Sequence, residues 1–228
     1  MTKTQANPAR ALLIDDDPFE LATLSASLRL HSCDVVGEAS SVALAEKLFQ
    51  SLKPDVILID LQFSGEEAIE LLHGFRKLNP QIGIVIVTAS PDLRLFGLQE
   101  KDIPCGSQII LKRSVSDLSI FSLALSESIE AAREKSDAKW ISAPSPIIRS
   151  SFTSVLNELT DIQIETLRLV AKGLSNSEIA RVRFVSEKSV EQIISRIAQH
   201  LSIPSDRNRN LRVILAGEYY KWLGAPRH

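Results

Sequence analysis

Cysteine is scarce: the 228 residues hold only Cys33 and Cys105, far apart and in no Cys-x-x-Cys pair. That excludes a disulfide framework and a zinc site, and leaves two small hydrophobes in a reducing compartment as the expectation. Long hydrophobic runs are also lacking. No stretch reaches membrane-spanning length, and Met1–Arg10 has no apolar signal-peptide core, so the expected location is the cytoplasm, with no membrane partner. Charge of one sign is lacking too, since the formal net is −2. Its distribution is more informative. Residues 1–148 carry 14 Lys and Arg against 20 Asp and Glu, whereas residues 149–228 carry 12 against 8. An acidic front and a basic back point to two modules with different partners.

The front half alternates short apolar runs with amphipathic stretches. Ala11–Ile14, Val35–Ala39, Val56–Ile59, Gly83–Val87 and Gln108–Leu111 read as strands. They are nearly continuous in Val, Ile and Leu, as strands buried on both faces are. Pro18–Leu30, Val42–Leu52, Glu66–Leu78, roughly Asp92–Gln99, and Val115–Glu134 read as helices. This pattern predicts a doubly wound α/β domain on a five-stranded parallel sheet. Residues 136–155, with Pro144, Pro146 and many serines, read as a linker. From Leu156 onward the pattern is helical only, with Gly173, the Ser175-Asn176-Ser177-Glu178 capping box, Ser186 and Pro204 as its punctuation. The expected organisation is 1–135, 136–155 and 156–228, the last an all-α four-helix domain.

In a parallel sheet, function collects at the carboxyl ends of the strands. Here those ends carry Asp15-Asp16-Asp17, Asp60, Thr88 and Lys112. Hard carboxylate oxygens suit magnesium, and a carboxylate can accept a phosphoryl group. A lysine can neutralise the transferred oxygens and a hydroxyl can bond one of them. Three aspartates alone also fit a solvated turn, so it is the set that carries the reading.

Leu12-Leu13-Ile14-Asp15-Asp16-Asp17-Pro18, Pro54 to Leu61, Val87-Thr88-Ala89 and Ile110-Leu111-Lys112 together resemble the receiver domains of two-component systems, a flavodoxin-like fold. The resemblance implies Asp60 as phosphoacceptor, with Asp15, Asp16, Asp60 and the carbonyl of Gln62 around magnesium, and Thr88 and Lys112 on the phosphoryl group. Three stretches depart from that pattern: Ser64 to Ala68, Ile109 where the family has an aromatic, and Pro104-Cys105-Gly106. They touch the read-out rather than the reacting set.

Leu159-Thr160, Gly173 to Ala180 and Ser186 to Val190 resemble the LuxR-type helix-turn-helix of NarL/FixJ response regulators. The implied recognition helix is about Glu187–Leu201. Its polar side carries Lys188, Glu191, Gln192, Ser195, Arg196 and Gln199, residue types that read base edges or hold phosphates. Arg181, Arg183, Arg207 and Arg209 would supply a positive flank. Glu191 stands where Lys is usual, Ile193 where His is frequent, Arg183 where an apolar residue is usual, and Ile162-Gln163 where Arg-Glu is usual.

The resemblance therefore implies a DNA-binding transcriptional regulator, phosphorylated by a partner histidine kinase and acting as a homodimer. Ile109 and Ala68 motivate an alternative, a receiver that serves as a phosphorylation-independent dimerisation or partner-binding module. An aspartyl-phosphate hydrolase of the haloacid dehalogenase type also begins with strand-end aspartates, but Phe19 stands where that family has Thr or Val, and it would leave the helix-turn-helix unexplained.

Overall fold

The computed structural model describes residues 8–30, 33–63, 66–112, 118–141, 156–204 and 208–223. Ser64, Val115, Arg207 and linker residues 142–155 lie outside them. The chain divides into two compact units, 1–88 with 100–144, and 89–99 with 145–228.

The first unit is a parallel sheet of β1 (Arg10–Ile14), β2 (Asp34–Ala39), β3 (Val56–Asp60), β4 (Gly83–Thr88), β5 (Gln108–Leu111) and β6 (Lys139–Ile141). Its order is β2-β1-β3-β4-β5-β6. Helices α1 (Pro18–Leu30), α2 (Val42–Leu52), α3 (Glu66–Leu78) and α4 (Leu118–Glu134) cover it. Successive side chains alternate between faces. Leu13, Val56, Leu58, Val85, Val87 and Ile110 join Leu21, Leu28, Phe121 and Leu125 in one core. Leu12, Ile57, Ile59, Ile84, Ile86 and Ile109 alternate with them and are also buried. On the α2–α3 layer Phe49 stacks on Phe75 with ring centroids 4.2 Å apart.

The sixth strand is a departure from the expected five. Lys139–Ile141 opens the segment read as a linker, yet it pairs in parallel with Gln108–Ile110. Three residues are too few to show an alternating pattern, so the partner strand decides the outcome. Gly106 has its own reason. Its φ is +75°, and a Cβ there would come within 2.6 Å of the Ala131 carbonyl group. Only glycine lets this turn lie so close to the α4 backbone.

The second departure concerns Asp92–Gln99, expected as a helix of the α/β domain. It contains only a 3-10 turn, Leu93–Phe96, bounded by Asp92 as N-cap and by Gly97 at φ 79°. These residues connect β4 to β5 in sequence but belong to the second unit. There Leu95 is fully buried in the core with Leu159, Ile164, Leu215, Tyr219 and Trp222. The Tyr219 hydroxyl donates to the Leu95 carbonyl at 2.6 Å. Arg94 grips Asp92 through Nε and a terminal nitrogen. Its terminal nitrogens also donate to the Leu156 and Leu159 carbonyls and to the Asp161 carboxylate. These hydrogen bonds, that to Asp92 foremost, hold the guanidinium above its ordinary pKa.

The described remainder of this unit holds α5 (Asp161–Ala171), α6 (Asn176–Arg183), α7 (Glu187–His200) and α8 (Leu211–Trp222). Thr160, Ser175, Ser186 and Asn210 cap their N-termini, Thr160 with Gln163 in a reciprocal capping box.

Truncating a fully buried leucine costs about 2–5 kcal/mol. Leu95→Ala should therefore lower the melting transition reported by Trp222, in a Trp140→Phe background. The transition reported by Trp140, in a Trp222→Phe background, should stay in place. Loss of the Trp140 transition instead would assign Leu95 to the wrong core.

Candidate functional site

Strand register builds the acidic site. Ile14 lies beside Ile59, so Asp15 follows its strand level with Asp60. Asp60 lies beside Val87, and Thr88 beside Leu111, so Thr88 and Lys112 close the same edge. Asp15 and Asp60 are each 5% exposed and Thr88 is fully buried. The Lys112 ammonium is 3.1 Å from Asp60 Oδ2, while Asp60 Oδ1 is sealed from solvent without a hydrogen-bond partner.

The aspartate run divides into three roles. Asp15 Oδ1 accepts the Asp17 N–H at 2.9 Å. Asp17 Oδ1 accepts from the backbone of Phe19 and Glu20, which makes it the cap of α1. The acid that a dehalogenase-type hydrolase needs two residues after its nucleophile is thus committed to helix capping. Asp16 is exposed. Gln62 follows Asp60 in the turn Leu61–Phe63.

The sequence reading missed Glu20. Its carboxylate is ion-paired with Lys112, and oxygens of Asp15, Glu20 and Asp60 all lie within 4.8 Å of one another. Its sequence signal was masked, because Asp17-Pro18-Phe19-Glu20 has the spacing of a capping box. The Glu20 side chain turns to the lysine instead.

Electrostatics follow from this crowding. Burial pushes the Asp15 carboxyl up to about 6, against the Asp17 N–H and with the Asp60 charge adding to the rise. Burial also raises Asp60, opposed by Lys112. Burial disfavours the Lys112 ammonium, but Asp60 and Glu20 outweigh it and hold its pKa above the ordinary value. The donors are hard oxygens, and one buried carboxylate oxygen has no partner. That set fits a magnesium ion.

In the second unit, α7 buries Val190, Ile194, Ile197 and Ala198. Lys188, Glu191, Gln192, Ser195, Arg196 and Gln199 are all exposed. The structure therefore brings the six expected base- and phosphate-contacting residues to the open side of one helix. The Ser195 hydroxyl donates to the Glu191 carbonyl of its own helix at 2.9 Å. The expected positive flank is smaller than the sequence suggested. The Arg183 side chain is 9% exposed and bonds the Glu165 carboxylate, and it donates to the Thr166 hydroxyl at 2.7 Å. A guanidinium has thus replaced the usual apolar contact between α6 and α5. Arg181 is tied to Glu178.

Residues 11–98 match the response regulator receiver domain, and residues 157–209 match the luxR family of bacterial regulatory proteins. The chain is a two-component response regulator. Its family consists of DNA-binding transcription regulators rather than enzymes. The regulator is 26% identical over 200 residues to the DNA-binding transcriptional activator EvgA of Escherichia coli, covering 86% of this chain and 92% of EvgA. It is 27% identical over 217 residues to the response regulator protein VraR of Staphylococcus aureus, covering 92% and 97%. Its fold resembles that of the response regulator RcsB in a complex with DNA, with a TM-score of 0.51 and 21% identity over 95% of this chain and 100% of that one. No helix among the described residues is long and apolar enough to cross a membrane.

The raised Asp15 pKa sets a pH window. Between about 4 and 6 the unfolded carboxyl ionises while the folded one keeps its proton, so this group's contribution to stability falls as pH rises through that window. Above it the ionised cluster is ready for a cation. Magnesium should therefore raise the melting temperature clearly at about pH 7.5 and little at about pH 5. An equal shift at both would show that Asp15 ionisation is not linked to binding.

Proposed function

We propose that this response regulator is phosphorylated on Asp60 by a partner histidine kinase and binds DNA as a homodimer to control transcription in the cytoplasm. The observation that carries the reading is Asp60 Oδ1, a buried carboxylate oxygen without a partner beside a lysine-bound Oδ2. One carboxylate oxygen of Asp60 attacks phosphorus, one P–O bond forms, and the bond to the donor breaks. Lys112 neutralises the transferred oxygens and the Thr88 hydroxyl bonds one of them. Asp15, Asp16, Asp60 and the Gln62 carbonyl would hold magnesium. Bound there, the ion supplies the positive charge that phosphoryl transfer between anions requires. The expected bounds 1–135, 136–155 and 156–228 shift accordingly: β6 joins the receiver and residues 89–99 join the DNA-binding domain.

Acetyl phosphate with magnesium should add one phosphoryl group by mass. Asp60→Asn should abolish the addition, as should removal of the metal. Labelling that survives in Asp60→Asn would overturn the assignment.

One observation favours a second reading, in which the receiver is a phosphorylation-independent dimerisation or partner-binding module. Ile109, where the family has an aromatic, is fully packed in the core and has no hydroxyl to expose. Sedimentation with and without a phosphoryl mimic separates the two, since the module reading requires unchanged association.

For α7, the proposed DNA contacts are Lys188, Glu191, Gln192, Ser195, Arg196 and Gln199. The EvgA relative is itself a DNA-binding activator, which supports the assignment. Glu191 repels phosphate from the groove-facing side. Glu191→Lys should therefore tighten binding across all sequences and steepen the salt dependence by about one unit of log–log slope. Unchanged non-specific affinity and slope would show that α7 does not lie in the groove.

A further inference from the structure

Receiver chemistry of the kind proposed above uses one lysine against the transferred phosphoryl group. In this chain that lysine is shared. Lys112 bridges Asp60 on the floor of the site and Glu20 on the first turn of α1. Glu20 is the less buried of its two partners, with its side chain 42% exposed against 5% for Asp60. A cavity of about 200 Å³ opens beside them, lined on its polar side by Asp15, Glu20, Asp60 and Lys112 and on its apolar side by Phe19 and Leu24.

Once a phosphoryl group sits on Asp60, the Lys112 ammonium is needed on its oxygens. Glu20 then loses its cation while an additional anion arrives within a few ångströms. Repulsion between unit charges at such distances is appreciable even in a well-screened pocket. The Glu20 carboxylate must either leave the site or take a different cation. The geometry favours the second course. Its oxygen already lies within 4.8 Å of oxygens of both Asp15 and Asp60, so a small side-chain movement brings all three within the roughly 2 Å reach of one magnesium ion. Asp60 Oδ1, buried and without a partner, is an independent sign that the cluster is incomplete without a cation.

We propose that Glu20 is an additional carboxylate ligand of the site's divalent cation, exchanging Lys112 for the metal as the cation binds, so that the lysine is already released when the phosphoryl group arrives. This rests on the phosphoacceptor reading of Asp60 and extends it: the cation is held from α1 as well as from the strand ends. Glu20 thereby sets how tightly the site binds metal before any phosphoryl donor arrives.

Calorimetric titration of the full chain with magnesium chloride alone tests this. Ligand charge count sets affinity at oxygen sites, so Glu20→Gln should weaken binding about tenfold or more. Glu20→Asp, which keeps the charge on a shorter arm, should recover part of the loss. Thermal melts confirm that each variant is folded, and the half-exposed position makes that the expected result. If Glu20 only clamps Lys112, Glu20→Gln will bind magnesium as tightly as the parent or more tightly, and acetyl phosphate will label it faster at every metal concentration. That result overturns the proposal. The phosphoacceptor reading has its own readout in the same experiment. Labelling that depends on Asp60, together with unchanged magnesium affinity in Glu20→Gln, removes the role of Glu20 and leaves that of Asp60 intact.

Discussion

The parallel register of β1, β3, β4 and β5 is the constraint on which the acidic site depends. Four residues distant in sequence reach one sheet edge because each follows, or ends, a strand whose neighbour is fixed by backbone hydrogen bonds. A slip of one residue in any of these pairs would turn a functional side chain to the opposite face and bring an aliphatic one into the site. The near-continuous aliphatic character of the strands holds that register from both sides. The same burial that positions Asp15 and Asp60 removes them from water, and their raised pKa values follow directly.

Charge is the second thread. Three carboxylates face one ammonium, so the cluster carries a surplus of negative charge whenever its acids are ionised. Removing one partner of a buried pair leaves the other uncompensated, which is costly. The site therefore resists ionisation when empty and gains most from a cation when ionised. The metal, the lysine and the phosphoryl group are coupled through electrostatics before any conformational change is invoked.

The helix-turn-helix unit is organised by caps and by an apolar stripe. Four N-caps fix where its helices begin, and the stripe Val190, Ile194, Ile197 turns the polar side of α7 outward. Two arginines serve structure rather than electrostatic display. Arg183 holds α6 to α5 through Glu165 and Thr166. Arg94 ties residues 89–99 to the Leu156–Asp161 region. Both show that a basic count in sequence overstates the charge available to a polyanion.

The sequence by itself determined the five long strands, most helix limits, the Ser175 and Ser186 caps and the two motif sets. These features rest on local rules: aliphatic runs, helical periodicity, and residue types that cap or break. α1, α2 and α3 end where Leu30, Leu52 and Leu78 predict. The tertiary structure decided what depends on a distant partner. Lys139–Ile141 becomes a strand because β5 offers an open edge. Asp92–Gln99 yields a single 3-10 turn because Gly97 stops it and because Leu95 and Arg94 find their partners beyond residue 155. Glu20 carries the spacing of a capping residue, but Lys112, 92 positions away, claims its carboxylate. Local pattern records what a backbone segment favours on its own, and only the folded chain specifies which charge or cavity a side chain meets.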